Sequence, residues 1–142
     1  MASIAGIFVS PAKRAEMKAL GRVRAVSGHG LDGCAHARPP KREVLFASAE
    51  HLESVDVPPG RIRENLTIEG ADVQEWPIGQ RIAAGDAVFE VTMVCDPCQR
   101  MDDLRPGLRA ELEDKRGMLA RVVETGEVAL GDEVRLLTAY GS

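Results

Sequence analysis

Residues 81–94 read Arg81-Ile82-Ala83-Ala84-Gly85-Asp86-Ala87-Val88-Phe89-Glu90-Val91-Thr92-Met93-Val94. Two β-prone runs flank a Gly-Asp pair, and Gly-Asp between apolar runs is a hairpin turn signal because a tight turn needs residues that accept positive φ. The stretch therefore predicts strands over Arg81–Ala83 and Ala87–Val94. A second pair, Gly131-Asp132, sits in a similar frame before Glu133–Leu137, and reads as a repeat of the same hairpin grammar rather than a duplicated domain.

Working outward, Ile4–Val9 is a short apolar run stopped by Ser10-Pro11, and Arg22–Val26 alternates charged and apolar residues as a half-buried strand does. Ser27–Gly33 reads as a glycine-rich loop, and Arg38-Pro39-Pro40 as further irregular chain. Val44–Phe46, Leu66–Ile68 and Met118–Val123 complete the strands. A short helix is expected from Ser48, as N-cap, through Val55, and a longer one over Pro106–Lys115, where Leu108 and Leu112 stand at i,i+4 and Gly117 follows the end. The sum is a mainly β chain of about seven strands with two or three short helices. Many short strands with glycine turns indicate a barrel or folded sheet. Alternating βα units are absent, which argues against a Rossmann-like fold.

The chain has 142 residues, which suits a single domain spanning 1–142. Its apolar fraction of 44% is enough for a core, and few aromatics mean the core rests on Val, Ile, Leu and Ala. A net charge of −4 argues against nucleic-acid binding. The charge is uneven: residues 1–63 carry ten Lys/Arg against six Asp/Glu, and residues 64–142 carry eight against sixteen. If several of Lys13, Arg14, Lys18, Arg22, Arg24, Arg38, Lys41, Arg42, Arg61 and Arg63 converge, they make a site for a phosphate or carboxylate; otherwise they are solvated surface. No run reaches the roughly 18 apolar residues of a membrane span, and Met1–Ser10 lacks the basic leader of a signal peptide. Three cysteines, an odd number, point to thiols in a reducing compartment, the cytoplasm.

Chemistry concentrates at Cys95-Asp96-Pro97-Cys98, directly after the run ending at Val94. With Asp96 as N-cap and Pro97 at the first helical position, Cys98 falls in the first turn of a helix, where backbone N–H groups and Arg100 would favour a thiolate and Asp96 would oppose it. Cys98 is then a nucleophile or a soft metal ligand, against the plainer reading of a small buried side chain. Cys95, facing the strand interior, reads as structural. Thioredoxin-like redox chemistry lacks its βαβ context, and a structural zinc drawing on His29, Cys34 or His36 lacks regular ligand spacing. The loop Gly28–His36 gathers two His, an Asp and a Cys, either as a site or as a flexible turn. No Gly-x-Ser-x-Gly elbow, P-loop or dinucleotide fingerprint is present.

Taken in order, Gly30-Leu31-Asp32-Gly33-x-x-His36, Lys41-Arg42-Glu43-Val44-Leu45, Pro59-Gly60…Arg63-Glu64-Asn65-Leu66-Thr67, Pro97-Cys98, Arg116-Gly117…Ala120-Arg121-Val122 and Gly131-Asp132 resemble the MOSC domain, the C-terminal domain of molybdenum-cofactor sulfurases. The resemblance covers about Ile4 to Leu137. Cys34 stands where that family usually has an acidic residue, and Ala37 where it usually has a glycine. The resemblance implies a β-barrel-like fold, with Cys98 as the cysteine that carries sulfur or ligates molybdenum. It implies catalytic roles for Cys98, His36 and Asn65, and a molybdenum-pterin cofactor held by Arg42, Glu64, Thr67 and Arg100. The sequence contains no pyridoxal-phosphate desulfurase domain, so a sulfur-carrier role implies a cysteine desulfurase or a molybdoenzyme as partner. A metal role implies reduction of N-hydroxylated compounds. Two rivals stand beside this: a non-catalytic module binding an anionic small molecule, and an unrelated enzyme reusing the same pocket.

Overall fold

The computed structural model describes residues 2–35 and 37–137. In chain order these form β1 (Ser3–Val9), β2 (Lys18–Ala19), β3 (Arg22–Val26), β4 (Gly30–Leu31), β5 (Val44–Ser48), α1 (Ala49–Ser54), β6 (Leu66–Glu69), β7 (Arg81–Ala84), β8 (Ala87–Val94), α2 (Gln99–Leu104), α3 (Leu108–Glu111), β9 (Met118–Glu124), β10 (Gly126–Ala129) and β11 (Val134–Leu136), with a 3-10 turn at Val73–Glu75. The architecture is mainly β, as the sequence predicts.

One sheet of eight strands runs in the order β11-β7-β8-β9-β5-β6-β1-β2, and a second of three strands runs β10-β3-β4. Within the large sheet only β5 and β6 pair in parallel. Parallel neighbours need a crossover, and α1 with the following loop supplies it. The large sheet curls until its far ends meet. Ile4 N donates to Asp132 O at 2.9 Å, Gly131 N to Ile4 O at 2.8 Å and Val134 N to Ala2 O at 2.9 Å. An antiparallel bridge between Ser3 and Glu133 completes this barrel-like closure.

Alternation along the central strands sorts side chains to two faces. Val44 and Phe46 of β5, Phe89 and Val91 of β8, and Met118, Ala120 and Val122 of β9 turn into the main core. The small sheet lays Val23, Ala25, Leu31 and Val128 onto the same core. Phe46 meets the rings of Trp76 and Phe89 edge-on, with centroids 5.6 and 5.2 Å apart. Ala47, on the opposite face of β5, packs under the helices with Leu52, Ile62, Met101, Leu108 and Leu112. Leu45 and Leu119 also point away from the main core, and they pack with Cys95 and Met93.

Three expectations need correction. The predicted helix over 106–115 is only α3, Leu108–Glu111, followed by turns. Gly107 before it and Asp114 after it both hold positive φ, 88° and 60°, which interrupts the helical path. Leu108 and Leu112 are nevertheless both buried, as their spacing required. Ser48 does precede α1, but its hydroxyl makes no cap bond; it donates to Ala71 O at 2.8 Å and accepts from Val73 N at 2.9 Å. The Gly131-Asp132 turn is not a hairpin. It joins β10, paired with β3, to β11, paired with β7, and so carries the chain from one sheet to the other. The strands that the sequence did not reveal are β2, β4 and β10. The first two have two residues each, and β10 turns only Val128 fully inward.

Candidate functional site

On the outer face of β5, β9 and the exit of β8 lies a cleft of about 330 Å³. A register shift between Val91 and Met93 in the β8–β9 ladder creates it. Phe89 and Val91 face the core, but past the bulge Met93 packs outward instead, and Cys95 follows it. Cys95 N donates to Gly117 O at 3.1 Å, which carries the pairing one step beyond the strand. Cys95, expected to face the strand interior, thus lies on the cleft floor with Leu45 and Leu119. Burial pushes its thiol up from the usual cysteine value, while Arg116 and Arg42 pull the other way.

The walls are cationic. Arg38, Arg42, Arg63, Arg100 and Arg116 line the cleft together with Cys98, and among the described residues no carboxylate does. Arg38 and Arg42 are set side by side by a tight bridge, with Arg38 N donating to Arg42 O at 2.7 Å and Arg42 N to Arg38 O at 2.9 Å. Arg116 is 7% exposed, and its Nε and Nη1 find no acceptor among the described residues. Next to it Gly117, at φ 114°, lies so close to β5 that a Cβ would fall 2.1 Å from Phe46 O. Arg63 turns two donors to the protein, Nη1 to Ala15 O at 2.8 Å and Nη2 to Ser10 Oγ at 2.9 Å. Burial, and then the neighbouring charges of Arg100 and Arg116, lower its pKa below the usual arginine value.

Cys98 is exposed at the cleft. The sequence placed it inside the first turn, but it is the N-cap residue itself, at φ −126°, ψ 175°; α2 begins at Gln99. Asp96 and Pro97 belong to the irregular exit from β8, ahead of the helix. The Cys98 carbonyl accepts from Met101 N at 2.9 Å, and Met101 anchors α2 in the core beneath. The thiol itself makes no cap bond.

A family model for the MOSC domain matches residues 34–135. The chain belongs to the MOSC domain family. Solved structures of similar fold include YuaD from Bacillus subtilis, 20% identical, with a TM-score of 0.79 over 94% of this chain and 94% of that one. YiiM from Geobacillus stearothermophilus is 17% identical with a TM-score of 0.76, over 97% of this chain and 76% of that one. YiiM from Escherichia coli is 18% identical with a TM-score of 0.75, over 97% and 70%. At these identities the likeness is one of fold. No curated protein matches the sequence.

In this MOSC domain Cys98, Arg42, Arg100 and Asn65 come together at the cleft. Asn65 is fully buried and its amide is engaged by the fold: Oδ1 accepts from Leu45 N at 2.9 Å, and Nδ2 donates to Phe8 O at 3.0 Å and Cys34 Sγ at 3.3 Å. It therefore ties β1, β5 and the loop at Cys34 to one another. Glu64 and Thr67 are fully buried and do not line the cleft. Glu64 Oε2 accepts from Gly60 N at 2.8 Å and from Thr67 Oγ1 at 2.9 Å, and burial raises the carboxyl above its usual value. His36 lies outside the described residues. His29 is exposed in the turn between β3 and β4, and no cluster of three or more His, Cys, Asp or Glu suited to a metal ion occurs among the described residues. No helix among them is long and apolar enough to cross a membrane. Of the ten cations of the basic half that the sequence offered for an anion site, Arg38, Arg42 and Arg63 line this cleft. Arg116, from the acidic half of the chain, carried no local signal beyond its place before Gly117.

Proposed function

We propose that this MOSC domain binds a molybdenum-pterin cofactor in the arginine-walled cleft, with the Cys98 thiolate as a ligand to molybdenum, and acts as a reductase of N-hydroxylated compounds. The observation that carries this reading is Arg116: a guanidinium in the cleft wall, 7% exposed, with two donors lacking any acceptor among the described residues. A buried charged donor without a partner is costly, and the oxygens of a phosphate are the complement its fork geometry fits. The cleft residues suit the group on chemical grounds. Arg116, Arg42 and Arg38 would hold the phosphate, the apolar floor of Leu45 and Leu119 would take part of the flat ring system, and a soft sulfur ligand stands at the mouth in Cys98. When bound, the group supplies two-electron redox chemistry. The chain's own part is to neutralise the anion, fix its orientation and present one thiolate.

A second reading, sulfur carriage, draws on the exposure of Cys98, which a partner such as a cysteine desulfurase or a molybdoenzyme could reach. In it the Cys98 thiolate attacks the outer sulfur of a donor persulfide, the donor's S–S bond breaks, and the donor leaves as a thiolate. An exposed thiol alone would serve that purpose, whereas five surrounding arginines answer to an anionic ligand.

One native preparation from a host that makes the cofactor tests both, by molybdenum content, pterin release and intact mass. The proposal expects molybdenum and pterin in near-equal amount with protein, and loss of molybdenum in Cys98→Ser. A protein heavier by one sulfur atom and free of molybdenum favours the carrier. A bare protein with neither overturns both, and moves the reading to an anion-binding module or an unrelated enzyme on this fold.

A further inference from the structure

A second cavity, of about 590 Å³, abuts the arginine cleft; Arg63 and Arg100 line both. The cofactor reading gives it no role. One part of its lining is apolar, from Phe8, Met17, Pro59 and Leu104. Arg14 and Arg61 add two exposed guanidiniums, against the single carboxylate of Glu16.

The cavity is built rather than incidental. Phe8 lies directly against Gly60, where a Cβ would fall 2.8 Å from two carbons of the ring, so only glycine lets the ring settle there. The segment carrying Arg14 and Met17 is fastened to the body of the protein by Arg63, through its bonds to Ala15 O and Ser10 Oγ. Both Arg14 and Arg63 hold left-handed backbone, at φ 63° and 67°. Glycine or asparagine would adopt that conformation with less strain, so the backbone does not account for arginine at these places. Arg63 has its fastening role. Among the described residues Arg14 makes no side-chain bond of that kind, and it lines the cavity instead.

We propose that this cavity is the substrate subsite, and that it takes a flat aromatic or heteroaromatic molecule bearing a phosphate or carboxylate. The ring packs against Phe8, Met17 and Leu104, and the acid group pairs with Arg14 and Arg61. Its reacting edge lies toward the boundary at Arg63 and Arg100, on whose other side is Cys98. The binding claim stands on the cavity itself; only the word substrate rests on the proposed cofactor reading. Flat rings bind apolar walls through buried area, and forked guanidiniums give orientation to an acid group.

Calorimetric titration with 1-naphthyl phosphate, with 1-naphthol and inorganic phosphate as part-ligands, tests the proposal. The expected result is binding at least about tenfold tighter than either part-ligand, because both walls contribute. The double variant Arg14→Asn/Arg61→Gln should lose about tenfold or more, asparagine being chosen because it tolerates left-handed backbone. Leu104→Ala should weaken binding independently from the apolar side, and Arg24→Gln, exposed on β3 and lining neither cavity, should not. Binding no tighter than inorganic phosphate, or lost in Arg24→Gln but kept in the other variants, overturns the proposal. Molybdenum content is read on the same preparation. A protein that binds the probe without metal supports the subsite and overturns the cofactor reading.

Discussion

At the residue scale, Cys98 and Glu64 show how differently two residues of one family pattern are used. Cys98 was legible from its neighbours, since a strand exit followed by Asp-Pro-Cys puts a thiol at an edge. Its helix position was misjudged by two residues: Asp96 as cap with Pro97 at the first helical position is locally allowed, yet the chain stays irregular up to Cys98 and α2 begins at Gln99. Glu64 read as a pocket residue, yet it serves the interior, bonded to Gly60 and Thr67. Its pKa is raised from 4.5 by burial, so the native state holds the proton more tightly than the unfolded chain. Its contribution to stability is therefore complete below the unfolded value and is lost as pH rises through the raised one. Glu64→Gln removes this dependence. Denaturant titrations at acid and neutral pH should show the wild type losing stability relative to the variant as pH rises, with a slope of up to about 1.4 kcal/mol per pH unit. A pH-independent difference would contradict the burial argument.

At the element scale, the site depends on strands that depart from regularity. The bulge in β8 turns Met93 and Cys95 outward, and Gly117 lets β9 start hard against β5. Gly117→Ala would place a methyl group 2.1 Å from Phe46 O at a φ of 114°, so β5 and β9 must separate. The expected cost is about 3 kcal/mol or more, read as a lowered denaturant midpoint. Because Arg116 and the Cys95–Gly117 bond adjoin that point, anion binding at the cleft should fall with it. The hairpin at Gly85-Asp86 was legible because turn chemistry is local. The bulge was not, because it answers to the partner strand β9 and leaves no mark on the composition of β8.

At the scale of the whole molecule, a chain of net charge −4 gathers five guanidiniums around two thiols, Cys95 and Cys98. Arg38, Arg42 and Arg63 come from the basic half and Arg100 and Arg116 from the acidic half, so the cleft is positive while the rest of the surface offsets it. Anion affinity there should be strongly screened. Inorganic phosphate should bind several-fold more weakly when salt is raised from about 0.05 M to about 0.5 M, since the Debye length shrinks from roughly 14 to 4 Å. The double variant Arg38→Gln/Arg42→Gln should bind more weakly and show a flatter salt response. A response unaffected by that change would mean the two arginines take no part. The sequence by itself determined the mainly β character, the hairpin, most strand positions and the thiol at a strand exit, because alternation, turn residues and proline act within a few residues of where they stand. Only the tertiary structure decided the closure of the sheet through Ile4, Gly131 and Asp132, the outward turn of Cys95, and the meeting of five arginines drawn from residues 38 to 116. Those features arise from pairing between strands far apart in the chain, and the energy that selects them belongs to no single segment.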